Sequence, residues 1–191
     1  NVDVADGARL ILIKANYRLM DLSLARVNPW EKIPSITGSA QFREYLKQAE
    51  DYFWVGIKEL DLHPTLSVPI VGRYRCYYNT LNARLFYLRG IFEKPSSEDF
   101  PDLSFEVSDS CLKRAESSLN RLSAPQRGGA LGVCELHRAE SLIFRVKARR
   151  ERRAKDWTSG AKGHLDRAAR ALYRAGLHMG KTRRNVWWWT L

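Results

Sequence analysis

Apolar side chains return every three or four residues along six stretches of this chain, the spacing that gathers them on one face of an α-helix. Leu10, Ile13, Tyr17, Met20 and Leu24 form the first such face after Asp6, and Asn28-Pro29 stops it near Val27. Residues 28–38 contain Pro29, Pro34 and Gly38 and read as a loop. Ser39 is placed to cap a second helix with Phe42, Tyr45, Leu46, Ala49, Phe53, Ile57 and Leu60 inside, and His63-Pro64 ends it. A third helix is expected from residue 65 to about 91, with Pro69 near its first turn. Its aromatics (Tyr74, Tyr77, Tyr78, Phe86, Tyr87) would also suit a strand, but residues 73–89 show no two-residue alternation. Residues 94–104 (KPSSEDFPDLS) read as a loop before a fourth helix that reaches about residue 122. Residues 123–129, with Pro125 and two glycines, are the best place for an internal boundary. A fifth helix is expected over about 130–155, ending in KARRERRAK, and a sixth over about 161–178. The segment 181–191 carries Trp187, Trp188 and Trp189. With no convincing strand series, the fold class is all-α.

Three of these stretches repeat one another. CLKRAESSLNRL begins at Cys111, ELHRAESLIFRV at Glu135 and HLDRAARALYRA at His164. Each holds Leu-x-Arg-Ala, as Leu112/Arg114/Ala115, Leu136/Arg138/Ala139 and Leu165/Arg167/Ala168. A small Ala lets a neighbouring helix approach, and Leu with the later apolar residues fills the groove; units of this kind stack into solenoids. The pattern resembles the second helix of a pentatricopeptide repeat. Tyr78-Asn79-Thr80-Leu81, and more weakly Trp188-Trp189-Thr190-Leu191, resemble that family's first helix. The expected architecture is therefore helical hairpins stacked as a short, degenerate pentatricopeptide-repeat-like solenoid, one helical domain over 1–191. Base-by-base RNA reading needs several regular repeats, which the uneven spacing here does not supply.

Charge divides the chain unevenly. Residues 1–126 hold 16 basic and 16 acidic side chains, whereas residues 127–184 hold 16 basic and 5 acidic, which is the whole net charge of +11. A neutral helical body (1–122) is thus joined to a basic helical part (130–191) that ends in the Trp-rich tail. One electropositive face suits an acidic protein surface or RNA. The candidate partner-binding residues are Arg149, Arg150, Arg152 and Arg153 together with Trp187, Trp188 and Trp189. Three adjacent tryptophans cannot all face one side of a regular element, and exposed aromatics are common at protein interfaces. The same tail folded back over its own core is the alternative. No apolar run approaches the roughly 20 residues that span a bilayer. Three cysteines, an odd and sparse set, argue for a reducing compartment. The first residue is Asn1 rather than Met, as a cleaved transit peptide would explain.

Catalytic patterns are weak. AGLHMGKT (175–182) fits a loose phosphate-loop string, but such a loop needs a strand before it, and here a helical pattern precedes. Gly176 and Gly180 read instead as helix stops. Cys134 and His137 stand three apart on a helix with no matching pair nearby, while Cys76 and Cys111 stand alone, so buried thiols are expected rather than a zinc site. His63, His137, His164 and His178 are scattered, with no Ser or Cys in a nucleophile elbow.

The opening DGARLILIKANYRLMDLSLARVNPW (6–30) and the stretch AEDYFWVGIKELDLHPTLSVPIVGRYRCYYNTLNARLFYLRGIFE (49–93) resemble the F1-associated accessory subunits of euglenozoan mitochondrial ATP synthases. That resemblance implies a helical, non-catalytic protein held on the outside of the F1 head by the α subunit, on the matrix side of the inner membrane. It also implies no cofactor, no small-molecule substrate and no insertion into the membrane. The rival expectation is a mitochondrial RNA-binding or ribosomal protein that uses the basic third.

Overall fold

Helical periodicity becomes six helices in the computed structural model, which describes residues 2–27, 40–62, 66–92, 100–120, 122–151 and 157–180. They are α1 (Val2–Ala25), α2 (Ala40–Leu62), α3 (Val68–Phe92), α4 (Phe100–Ser118), α5 (Ala124–Glu151) and α6 (Trp157–Gly180). Among the described residues there is no strand. The loop at 28–38, the cap at Ser39, the stop at His63-Pro64 and most of the acidic loop fall outside the described residues.

Two helices begin earlier than their composition suggests. α4 starts at Phe100, within the stretch read as a loop, and α5 starts at Ala124, within the stretch read as a boundary. In both, proline is the second helical residue (Pro101 and Pro125), as Pro69 is in α3. N–H groups of a first turn have no acceptor inside the helix, so proline there forfeits no hydrogen bond. The Arg127 amide donates to the Ser123 carbonyl (3.0 Å) and closes the first turn of α5, which runs on through both glycines. Residues 123–129 are thus a helix entry. α6 likewise continues through Gly176, which does not stop it, to Gly180.

Sequence neighbours pair most extensively, giving the hairpins α1/α2, α3/α4 and α5/α6. Each later hairpin is laid on the earlier one through its first helix: α3 contacts α1 and α2, and α5 contacts α3 and α4. The first helices run parallel. The Tyr78 hydroxyl donates to the Ile13 carbonyl (2.7 Å) and Arg84 pairs with Asp21 (3.9 Å) between α1 and α3. Between α3 and α5, Cys76 meets Cys134 and Tyr87 meets Glu140. The result is a short stack of helical hairpins with α3 at its centre.

Small residues set how closely the helices approach. A Cβ on Gly56 of α2 would overlap the ring of Tyr78, and one on Gly72 of α3 would stand 2.8 Å from the Ser118 carbonyl oxygen of α4. The three repeated alanines, Ala115, Ala139 and Ala168, are all buried, as the close-approach argument requires. They lie on α4, α5 and α6, so the repeat recurs once per helix rather than once per hairpin. The leucine of the repeat behaves differently. Leu112 is fully buried, whereas Leu165 is 46% exposed, so the groove-filling role holds at the first copy and fails at the last. Tyr78-Asn79-Thr80-Leu81 falls on α3, the first helix of its hairpin.

Candidate functional site

Four arginines of the basic third are paired with carboxylates of the protein itself. α5 lies beside α4, and a row of carboxylates on α4 meets arginines of α5. Asp102 takes Arg145 (2.9 Å) and Arg149 (3.1 Å), Glu106 also faces Arg145 (3.7 Å), and Arg138 reaches Glu116 (2.8 Å) and Asp109 (3.8 Å). Glu135 is buried between Arg138 (3.2 Å) and Arg174 of α6, which grips both its oxygens at 2.7 and 3.0 Å. Arg149 is thus part of the α4–α5 contact. Arg150 is exposed near the end of α5. Arg152, Arg153, Trp187, Trp188 and Trp189 lie outside the described residues. The sequence hides this ion-pair row because its acidic half sits in the nominally neutral body.

Polar groups also cross the α3–α5 contact. The Tyr87 hydroxyl donates to Glu140 Oε2 at 2.7 Å, and His137 Nδ1 lies 3.0 Å from the same oxygen. Tyr87 stacks on the fully buried Phe144 with ring centroids 5.8 Å apart. Burial and the Glu140 charge push the Tyr87 hydroxyl well above its ordinary value, so it stays a donor. Burial works against the Glu140 carboxylate, yet the hydrogen bonds and charges of His137, Tyr87 and Arg84 outweigh it and hold its pKa down to about 2. A depressed folded-state pKa stabilises the fold fully above the ordinary value of 4.5 and loses that contribution as pH falls through about 2. Glu140→Gln should therefore cost about 1.5–3 kcal/mol at neutral pH, the scale of a hydrogen bond to a charged group, and progressively less in acid. Urea midpoints at pH 7 and pH 3 measure this; an equal loss at both would refute it. The arrangement is a structural clasp between helices.

The three thiols, Cys76, Cys111 and Cys134, lie inside the helix stack. All three are buried, and Cys76 Sγ, which looked isolated in sequence, lies 3.8 Å from Cys134 Sγ beside the Thr80 hydroxyl. The hydrogen bond with Cys134 and burial push the Cys76 thiol far up, and burial raises Cys111 to about 11. Nucleophilic and metal-binding thiols need the opposite shift. Cys134 has it, because its hydrogen bond with Cys76 lowers that thiol, but it is fully buried against Cys76 and Thr80. Cys134 and His137 do not converge: one faces Cys76, the other Glu140. Among the described residues no group of three or more His, Cys, Asp or Glu side chains could hold a metal ion. Residues 175–180 of the phosphate-loop string are helical, so their N–H groups are not presented as a cradle. An open cleft of about 690 Å³ lies among the end of α2, the start of α3 and the end of α4. Its carboxylate, Asp61, is paired with Arg75 at 2.6 Å.

What the surface does offer is apolar. α1 buries Ile13, Met20 and Leu24 against its neighbours, yet it also presents Ile11, Leu12, Leu19 and Leu22 at 68, 43, 42 and 59% exposure. At about 100° per residue these four, with Ala8 and Ala15, form one continuous stripe pointing away from the α3 contact. α6 presents Leu165, Leu172, Tyr173 and Leu177, again exposed. The sequence reading missed both stripes, having assigned each helix a single inner face. The available signal was that α1 is apolar at almost every second or third position, too often for one face. No described helix is long and apolar enough to cross a membrane. No protein-family model, no curated protein and no solved structure matches this chain.

Proposed function

We propose that this protein is a non-catalytic docking subunit, and specifically an accessory subunit of a mitochondrial ATP synthase that attaches to the outside of the F1 head through the α subunit. The carrying observation is the second apolar face of α1, where Ile11 and Leu22 are more than half exposed. Contiguous exposed apolar stripes of this kind mark interaction surfaces. The likeness of residues 6–30 and 49–93 to the F1-associated subunits supports that choice of assembly and, with it, a mitochondrial location on the matrix side of the inner membrane. On this reading docking is the activity. Aliphatic side chains leave water against the partner, charged side chains at the rim guide encounter, and a total burial of roughly 1,200–2,000 Å² suffices for a stable contact. No cofactor and no small-molecule substrate enter it.

The internal pairing of Arg138, Arg145 and Arg149 weakens the RNA alternative, since those guanidinium groups are engaged with carboxylates. A mild-detergent pull-down of the tagged protein from mitochondria, with and without ribonuclease and high salt, tests the choice. Co-purification of ATP synthase α and β subunits through both treatments is the expected result. Recovery of RNA or ribosomal proteins, lost on either treatment, would overturn it, because phosphate contacts weaken steeply with salt.

A further inference from the structure

We propose that the open side of the α5/α6 hairpin is a socket for one amphipathic helix of a partner protein, apolar on its inner face and acidic along its flanks. The fold itself defines the vacancy. The first hairpin is covered by α3 and the second by α5. Among the described residues, the corresponding place on the third hairpin has no helix over it. Its surface is built as the covered ones are. Leu165, Ala169, Leu172, Tyr173 and Gly176 are all exposed and follow one another at helical steps. They span roughly 100° of α6, the width of a face that packs against another helix. Ala169 and Gly176 keep the floor low so that a helix can settle between the larger side chains. On α5, Leu136 and Ile143 are half-buried, and helical geometry brings them to the same side of the antiparallel pair.

Charge chooses the occupant. Residues 157–180 hold Lys162, Arg167, Arg170 and Arg174 against the single carboxylate Asp166. Arg174 is engaged by Glu135; Lys162 and Arg170 stand exposed beside the stripe with Asp166 one turn from each, so the rim keeps a net positive charge. A helix flanked by Asp and Glu satisfies this rim, whereas a second α6, equally basic, would set like charges together. The proposal rests on the docking reading above and names one contact within it.

The test uses the full chain in its native assembly. A photo-crosslinking amino acid in place of Tyr173 should join a peptide of another protein that is apolar at i, i+3, i+4 and i+7 and carries flanking Asp or Glu. Cross-links to a second copy of this chain, to its own residues 181–191, or to RNA would overturn the socket. Leu165→Glu with Leu172→Glu, both at exposed sites, should leave the thermal midpoint of the isolated protein within a few degrees. The pair should weaken assembly about 30-fold or more, the scale of losing a central interface anchor. Normal assembly of this variant alongside failure of an Ile11→Glu/Leu22→Glu variant would sink the socket and leave the docking reading standing. A wild-type chain that joins no assembly would sink both.

Discussion

Gly56→Ala is expected to cost about 3 kcal/mol and to lower the thermal midpoint by roughly 10 °C, even though alanine is the better helix former by about 1 kcal/mol. The new methyl group would overlap the ring of Tyr78. That ring has nowhere to retreat. Tyr78 is fully buried, lies edge-on to Tyr17 and Phe53 with centroids 6.0 and 6.3 Å away, and is anchored by its hydroxyl to the Ile13 carbonyl at 2.7 Å. Three helices meet at this point, so relief requires α2 to move off α1 and α3 together. The opposite sign is expected at Gly163 and Gly176 of α6, where an added Cβ meets nothing within 4 Å. Alanine there should stabilise by about 0.5–1 kcal/mol. Urea unfolding of the three variants checks the contrast, and a Gly56→Ala midpoint at or above wild type would show the α2–α3 crossing to be looser than described.

Glu135→Ala should be comparably damaging, at about 3 kcal/mol, the lower end for breaking a buried ion pair. Glu135 is 6% exposed and is the joint between α5 and α6, held by Arg138 on its own helix and by both ends of the Arg174 fork. The loss is tempered because Arg138 keeps Glu116 at 2.8 Å and Arg174, at 44% side-chain exposure, regains water. Limited proteolysis should then cut within α6 well before the rest of the chain. Uniform protection would mean that the alanine seam of Ala168, Ala171 and Ala175, rather than the ion pair, holds the helix. Replacing Lys113, whose ion pair with Asp109 is solvated, should change stability by less than about 1 kcal/mol.

The helices were legible in the sequence because their inner faces are periodic. Phe42, Leu46, Ala49, Phe53 and Leu60 of α2 are all buried as the pattern demands. The starts of α4 and α5 were less legible, since Pro101 and Pro125 carry the same local composition as a loop and differ from one only in position, whereas Pro69 was read within the first turn of α3. Relations between distant segments could not be read at all. That Cys76 faces Cys134, or that Asp102 faces Arg145 and Arg149, follows from how the hairpins stack and leaves no trace in local spacing. Charge counted by segment hid the pairing for the same reason: Asp102, Glu106, Asp109 and Glu116, which face Arg138, Arg145 and Arg149 of the basic third, lie on α4. The exposed stripes of α1 and α6 were hidden because periodicity reports that a face is apolar and does not report whether anything covers it.

The central place of α3 bears on how the molecule comes apart. α3 touches α1, α2, α4 and α5, whereas the extensive contact of α6 is with α5 alone. Opening α3 therefore dissolves the whole structure, but α6 can peel away at the cost of one interface, as the last unit of a quasi-one-dimensional array. A helix seated against α5 and α6 would add a second interface to that unit. By mass action it would raise the stability of α6 selectively. A helix held by a single neighbour is thus also one whose stability a partner would raise.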